Sequence, residues 1–213
     1  MKPVKVKICG LTREADVRSA VDAGVDAVGV VFAKSPRKVS VSQAAKCLAK
    51  VPSGVLKVGL FMNQPRQEVG QIIGPLQLDL LQFHGPEEND WCASFGLPFL
   101  KAISVDSDRA ILQARRYPDA IGILFDTPAP GGGGGTGRTF DWSLLSGIDC
   151  PFWLAGGLNP GNVTQAVRTL DPDWVDVSSG VEDGPGLKNP DLMRAFITAA
   201  KSARREWKTE ELN

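Results

Sequence analysis

Eight short runs rich in Val, Ile, Leu and Phe alternate with eight longer amphipathic stretches along the 213 residues, which predicts an α/β fold closed as a single (β/α)8, or TIM, barrel. Three observations carry this reading. The apolar runs are continuous rather than alternating, as parallel strands covered on both faces require. The stretches between them have helical spacing and enough length for crossovers. Eight such units in a chain of this size fit a closed barrel more economically than an open sheet, because closure leaves no edge strand to protect.

Strands are expected at Lys5–Ile8, Ala27–Phe32, Val55–Phe61, Leu78–Gln82, Phe99–Ile103, Ile121–Phe125, Phe152–Leu154 and Trp174–Val177. Helices are expected at Thr12–Ala23, Ser42–Lys50, Pro65–Ile73, Pro86–Phe95, Ser107–Tyr117, Trp142–Ser146, Gly161–Leu170 and Pro190–Arg204. The first helix is offered Thr12 as an N-cap, carries Ala15, Val17, Ala20, Val21 and Ala23 as its apolar stripe, and meets Gly24 as a stop. The penultimate helix follows Asn159-Pro160, places Val163, Ala166, Val167 and Leu170 on one face, and ends before Pro172. Leu78–Gln82 and Phe152–Leu154 are short enough to suit helix or loop fragments as well. The glycine run 131–135 directly after the sixth strand reads as a mobile loop over a pocket or as a tolerated insertion. The charged stretch from Lys201 to Asn213 reads as an exposed helix end that frays. Residues 1–213 form one domain on this reading.

Lys and Arg number 24 and Asp and Glu number 24, so no general field favours nucleic acid or an anionic membrane, and an anionic ligand must be held locally. The first ten residues lack a signal-like hydrophobic stretch, and no apolar run approaches the roughly 20 residues that span a bilayer. A cytoplasmic protein is expected. Cys9, Cys47, Cys92 and Cys150 are widely spaced and accompanied by a single histidine, a poor metal set; reduced thiols without structural zinc are the expectation. A self-sufficient barrel fits a monomer, with a homodimer through an apolar outer-helix face as the alternative.

Parallel strands of one sheet end on one face, where barrels place their active sites. Cys9 ends the first strand and Asp126 the sixth, so a thiol and a carboxyl are expected to face a common pocket, one set as base and the other as acid. Cys9 also suits a buried small hydrophobe, and Asp126 a turn cap. Lys7 alternates with Lys5 about Val6, which puts both on one strand face; Lys7, nearer the mouth, reaches the site and polarises Cys9 or serves an ion pair. Arg37, in Ser35-Pro36-Arg37 after the second strand, has the planar fork that suits a carboxylate, though a solvated surface arginine reads equally. His84 sits at the rim after Leu80-Leu81-Gln82-Phe83, as a ligand hydrogen-bond donor or a turn contact. Asp176 is a buried-carboxylate candidate, and Trp174 or Phe83 could supply apolar surface to an aromatic ligand. Trp91, Trp142 and Trp207 read as packing residues.

Gly156 and Gly157 follow the seventh strand and Ser179 and Gly180 the eighth, with Gly135-Thr136-Gly137 in the sixth loop. Adjacent glycine-rich turns at the last two strand ends are where barrels grip a phosphate, since glycine lets amides approach the anion. A phosphomonoester site is expected.

In combination, these segments resemble the phosphoribosylanthranilate isomerases of tryptophan biosynthesis. The resemblance runs from Lys5 to about Ala200 and rests on Lys7-Ile8-Cys9-Gly10-Leu11-Thr12, Phe32 through Arg37, Gln82-Phe83-His84-Gly85, Gly134 through Gly137 with Phe140-Asp141-Trp142, Leu154 through Leu158, and Val175 through Glu182. It implies an Amadori rearrangement of N-(5-phosphoribosyl)anthranilate to 1-(2-carboxyphenylamino)-1-deoxyribulose 5-phosphate without metal or organic cofactor. By the same resemblance Asp126 is the general acid, Cys9 the general base and Arg37 the partner of the anthranilate carboxylate. The amides around Gly157, Ser179 and Gly180 are then the phosphate grip, and His84 and Asp176 orienting residues. Phe83 stands where the family commonly has leucine, and the five consecutive glycines lengthen the sixth loop. The competing readings are another sugar-phosphate isomerase or epimerase of the barrel class, or a noncatalytic barrel that binds a phosphometabolite.

Overall fold

The structure, a computed structural model, describes residues 3–107, 109–128, 139–148 and 150–210, with side chains to residue 203. Eight parallel strands close into a barrel in chain order: β1 (Lys5–Ile8), β2 (Ala27–Val31), β3 (Leu56–Phe61), β4 (Leu80–Phe83), β5 (Phe99–Ser104), β6 (Gly122–Asp126), β7 (Phe152–Leu154) and β8 (Trp174–Val177). Closure between β8 and β1 sets Lys7 opposite Asp176 and Ile8 opposite Val177. The two short runs that also suited helix or loop are strands β4 and β7, paired on both sides like the rest.

The crossovers are α1 (Glu14–Asp22), α2 (Val41–Leu48), α3 (Arg66–Ile73), α4 (Asn89–Ala93), α5 (Arg109–Ala114), α6 (Val163–Leu170) and α7 (Pro190–Glu210). Among the described residues of the sixth crossover there is a 3-10 turn, Trp142–Leu145, whose entry is capped by Asp141 accepting from the Ser143 amide. Helices α4 and α5 are shorter than their sequence segments. Behind β8 a small antiparallel hairpin, β9 (Glu182–Gly184) and β10 (Leu187–Lys188), is added to the barrel.

Thr12 does not cap α1. Arg13 occupies the N-cap position without a side-chain cap, and the Thr12 hydroxyl donates 2.7 Å to the Gly186 carbonyl, binding the hairpin instead. Lys201 is likewise no loose end: its ammonium lies 2.9 Å from Asp26 Oδ2 and donates to the Gly24 carbonyl, tying α7 to the turn before β2.

Period-two alternation on each strand sorts the residues into two cores. Ala27, Val58, Leu80, Leu100, Leu124 and Trp153 point inward and fill the barrel, while Val6, Ile8, Val28, Val30, Leu81 and Phe125 point outward beneath the helices. Phe83 is therefore an outward residue, packed with Phe61, Trp91, Phe95 and Phe99. Trp174 points inward but at the opposite end of the barrel, stacked on Trp153 at 4.0 Å with Lys5 over its ring. Neither lines the pocket, so the expectation that they offer surface to an aromatic ligand is corrected: strand parity removes Phe83, and depth along the axis removes Trp174.

Candidate active site

Continuing the inward alternation past the apolar layer toward the C-terminal strand ends, the side chains become polar: Cys9 just past β1, Gln82 and His84 on and after β4, Asp126 on β6, Asp176 on β8. All five line one pocket, with Arg37, Ala33, Leu60, Met62, Gly156, Gly157, Ser178 and Ser179 among its other walls; it holds about 760 Å³ of space including its open mouth. Thus the thiol and the carboxyl from opposite halves of the chain do share a cavity.

Cys9 is 5% exposed, its amide donating to the Val177 carbonyl at 2.8 Å. Directly beneath it lies Lys7, fully buried, whose ammonium donates to Gln82 Oε1 at 2.8 Å and to Asp176 Oδ2 at 2.7 Å. Burial opposes a charge on Lys7, but Asp176 and the Cys9 thiol outweigh it and hold the ammonium above the ordinary lysine value. Burial pushes the Cys9 thiol up, Lys7 and Lys188 draw it down, and Asp176 adds to the rise. Gly29 on β2 is needed here: a Cβ would stand 3.0 Å from Cys9 Sγ and 3.1 Å from Lys7 Cε. Asp176 Oδ1 is buried with no hydrogen-bond partner among the described residues, on a side chain that lines the pocket.

Asp126 is oriented from its own backbone turn, with Oδ1 accepting from the Thr127 amide at 2.7 Å. Its other oxygen lies 3.3 Å from His84 Nε2. His84 is held in turn by the buried Lys101 of β5, whose ammonium donates to the Phe83 and Gly85 carbonyls on either side of it and pairs with Glu87 Oε2 at 3.1 Å.

Arg37 crosses the end of β1 at Gly10, where a Cβ would stand 2.5 Å from Arg37 Cδ and where φ is +74°. Its guanidinium forms a two-toothed pair with Glu182, Nε to Oε1 at 2.8 Å and Nη2 to Oε2 at 2.7 Å. Nη1 has no protein partner among the described residues. That pair raises Arg37 above the usual guanidinium value; Glu182, which burial alone would push up, is held below the carboxylate range by Arg37 and Lys188.

The turns after β7 and β8 approach as backbone against backbone. Gly156 and Gly157 have φ of +88° and +64°, which side chains resist, and a Cβ on Gly180 would fall 1.9 Å from the Leu158 carbonyl oxygen. The amides of Gly157 and Gly180 find no acceptor among the described residues. Two glycine-dependent turns thus bring unpaired backbone donors together near one end of the pocket, a geometry that suits an anion.

Eight of the residues singled out in the sequence therefore line this pocket: Cys9, Arg37, His84, Asp126, Gly156, Gly157, Asp176 and Ser179. Lys7 lies under its floor, reaching it through Cys9, Gln82 and Asp176, and Gly180 is not itself a wall, though its neighbour Ser179 and its contact Leu158 are. Gly135, Thr136 and Gly137 lie outside the described residues. Gln82, Lys101, Glu182 and Lys188 were missed. For Gln82 a signal existed, since it stands one alternation before His84 on the same strand.

Proton-transfer groups of two kinds, turned by strand parity onto one mouth of a closed parallel barrel, define an acid–base enzyme of the (β/α)8 class. A family model described as N-(5'-phosphoribosyl)anthranilate (PRA) isomerase matches residues 6–199. A relative of that name from Pseudomonas fluorescens is 48% identical over 204 residues, covering 94% of this chain and 97% of its own; one from Pseudomonas aeruginosa is 47% identical, covering 97% and 99%. The phosphoribosyl anthranilate isomerase of Thermotoga maritima superposes with a TM-score of 0.87 at 39% identity, covering 93% of this chain and 99% of that one. A phosphoribosyl anthranilate isomerase in complex with reduced 1-(o-carboxyphenylamino)-1-deoxyribulose 5-phosphate superposes at 0.84 with 36% identity, covering 93% and 99%. The chain belongs to the N-(5'-phosphoribosyl)anthranilate isomerase family.

Proposed function

We propose that the chain converts N-(5-phosphoribosyl)anthranilate to 1-(2-carboxyphenylamino)-1-deoxyribulose 5-phosphate, a step of tryptophan biosynthesis, with Asp126 as general acid and Cys9 as general base. The observation that carries the assignment of roles is the placing of Cys9 and Asp126 in one pocket with a glycine-lined anion site at its edge. The phosphate sits against the amides of Gly157 and Gly180 beside Ser179, and the anthranilate carboxylate against Arg37.

Asp126 protonates the ribose ring oxygen as the bond from C1 to that oxygen breaks, leaving a Schiff base between C1 and the anthranilate nitrogen. Withdrawal of electrons by the iminium acidifies the C2 hydrogen, so a thiolate of moderate basicity suffices to remove it. The electron pair moves into the C1–C2 bond to give an enolamine, which tautomerises to the ketone as C1 takes a proton. C2 is oxidised and C1 reduced, so the reaction balances within the substrate. Lys7 serves this step from below, its charge drawing the Cys9 thiol toward ionisation without touching the ligand. His84 and the Thr127 amide orient the two oxygens of Asp126, and the unpartnered Oδ1 of Asp176 accepts from a sugar hydroxyl.

Anthranilate fluorescence followed as freshly made substrate is consumed tests the reading. Cys9→Ala and Asp126→Asn are each expected to lower kcat by about 10²-fold or more with unchanged circular dichroism. Full activity in either variant overturns that residue's role, and no turnover by the parent protein would leave a noncatalytic binding barrel. A pocket completed within one barrel suits a monomer, and a biosynthetic role suits the cytoplasm; the alternative of a homodimer is favoured by a relative from Thermotoga maritima described as dimeric. Sedimentation equilibrium separates the two.

A further inference from the structure

Glu182 and Lys188 lie outside the pocket lining and take no part in the proton transfers, yet both are buried ions placed directly behind Arg37. Burying three charges together is costly unless their arrangement is used or fully compensated. Glu182 Oε1 accepts from Arg37 Nε at 2.8 Å and from the Lys188 ammonium at 2.7 Å, so one oxygen is shared by two cations. Lys188 also donates to the Ser178 carbonyl at 2.9 Å, on the strand end that carries the anion-binding turn.

The charges decide what this cluster does. An Arg37–Glu182 pair alone is neutral, and a neutral pair attracts a ligand carboxylate weakly. Adding Lys188 makes the triad net +1, with Nη1 of Arg37 left without a protein partner. Glu182 meanwhile fixes the plane of the guanidinium by gripping Nε and Nη2, which leaves a defined edge for a planar carboxylate.

The hairpin that supplies both ions is itself pinned. Thr12 donates to the Gly186 carbonyl, Arg13 to the Lys188 carbonyl at 3.3 Å, and the Lys188 amide to Asp16 Oδ2 at 3.4 Å. Arg13 and Asp16 pair with each other across the first turn of α1. The start of α1 thus anchors β10, β10 places Lys188, and Lys188 with Glu182 sets Arg37.

We infer that Lys188 and Glu182 are positioning residues for substrate selection: the β9–β10 hairpin gives Arg37 its orientation and its net positive charge, and so tunes the preference for a ligand that bears an aromatic carboxylate. This rests on the reading of Arg37 as the carboxylate partner, and the experiment separates the two.

Two ligands are titrated calorimetrically against the full chain: the reduced product analogue, 1-(o-carboxyphenylamino)-1-deoxyribulose 5-phosphate after reduction, and its counterpart lacking the ring carboxylate. The ratio of the two Kd values measures carboxylate preference free of the phosphate and sugar contacts. Lys188→Met is expected to lower that preference about tenfold, since the charge facing the ligand falls from +1 to zero. In Lys188→Met with Glu182→Gln the net charge returns to +1, and the preference is expected to recover at least half of the loss on a logarithmic scale. A purely structural staple would instead weaken both ligands together, and the second substitution would worsen the damage.

An unchanged ratio in Lys188→Met, or a double variant no better than the single one, overturns the inference. If Arg37→Met also leaves the ratio unchanged, the carboxylate contact of Arg37 falls with it; if Arg37→Met alone abolishes the preference, only the role of the hairpin is lost. Should Lys188→Met fail to fold, Lys188→Gln, which can still donate to the Ser178 carbonyl, carries the same expectation.

Discussion

Two buried thiols show how position, not residue type, decides use. Cys9 and Cys92 are both pushed above the ordinary thiol value by burial, but only Cys9 stands at a cavity and over a lysine ammonium. Cys92 faces the Glu87 carbonyl under α4 and is pushed up to about 12, with Lys101 opposing and Glu87 adding to the effect of burial. A thiol whose folded value exceeds its unfolded one stabilises the fold fully below the unfolded value of 9.0 and loses that contribution as pH rises toward about 12. Denaturant unfolding between pH 8 and 11 should therefore show stability falling above pH 9. In Cys92→Ala that fall should be shallower by up to about 1.4 kcal/mol per pH unit, the worth of one proton. Equal slopes in the two proteins would show that Cys92 ionises alike in both states. Cys150, exposed, should be the fast-reacting thiol with Ellman's reagent in the native protein, and the buried Cys47 and Cys92 should react only on unfolding.

Loops after parallel strands are positioned by the strands, and here they also position one another. The turn after β8 touches the turn after β7 so closely that only glycine fits at 180, the Leu158 carbonyl oxygen standing where a methyl group would go. Because that obstacle is backbone, a side chain at 180 cannot be accommodated by a rotamer change. Gly180→Ala should separate the two turns, raising KM about tenfold or more through the phosphate contacts and costing about 1–3 kcal/mol of stability. With the acid and base on β6 and β1, kcat should fall by much less. Steady-state kinetics with denaturant titration checks this, and an unchanged KM would remove the β7–β8 turns from the phosphate site. Among the described residues of the sixth crossover, Trp142–Leu145 covers its part of the barrel with a 3-10 turn.

Across the whole molecule, stability and chemistry sit at opposite ends of the barrel axis. The N-terminal end is plugged by Trp153 stacked on Trp174, and the C-terminal end is lined by ions and glycine turns. Trp153→Ala is expected to destabilise the fold by about 3–5 kcal/mol through the cavity it leaves. Its kcat/KM at a temperature where the variant stays folded should remain within about twofold of the parent, since the layer of Leu80, Leu100 and Leu124 intervenes. Thermal unfolding and fluorescence kinetics on one preparation test both halves. A large loss of activity without loss of stability would show that the two ends are mechanically coupled.

Legibility in the sequence follows from the range of the interaction concerned. Strands β1 to β8 were readable because each is an apolar run bounded by turn residues, and α1 and α6 because their stripes recur at helical spacing. Cys9 and Asp126 were readable as partners because parallel strands must end on one face. Phe83 and Trp174 misled because hydrophobicity carries neither strand parity nor depth in the barrel, and Thr12 misled because its hydroxyl is spent on Gly186, far along the chain. Glu182 was legible only as the end of a family-like segment and Lys188 not at all, because what gives them a role is the pair that Glu182 makes with Arg37 across 145 residues. Local patterning thus settled the (β/α)8 class and the strand ends on which reactive groups stand, since periodicity and turn chemistry act over a few residues. Which ions meet behind Arg37, which lysine lies beneath the thiol and which oxygen of Asp176 is left unpartnered were decided by barrel closure, because only closure brings β1 against β8 and gives those charges their partners.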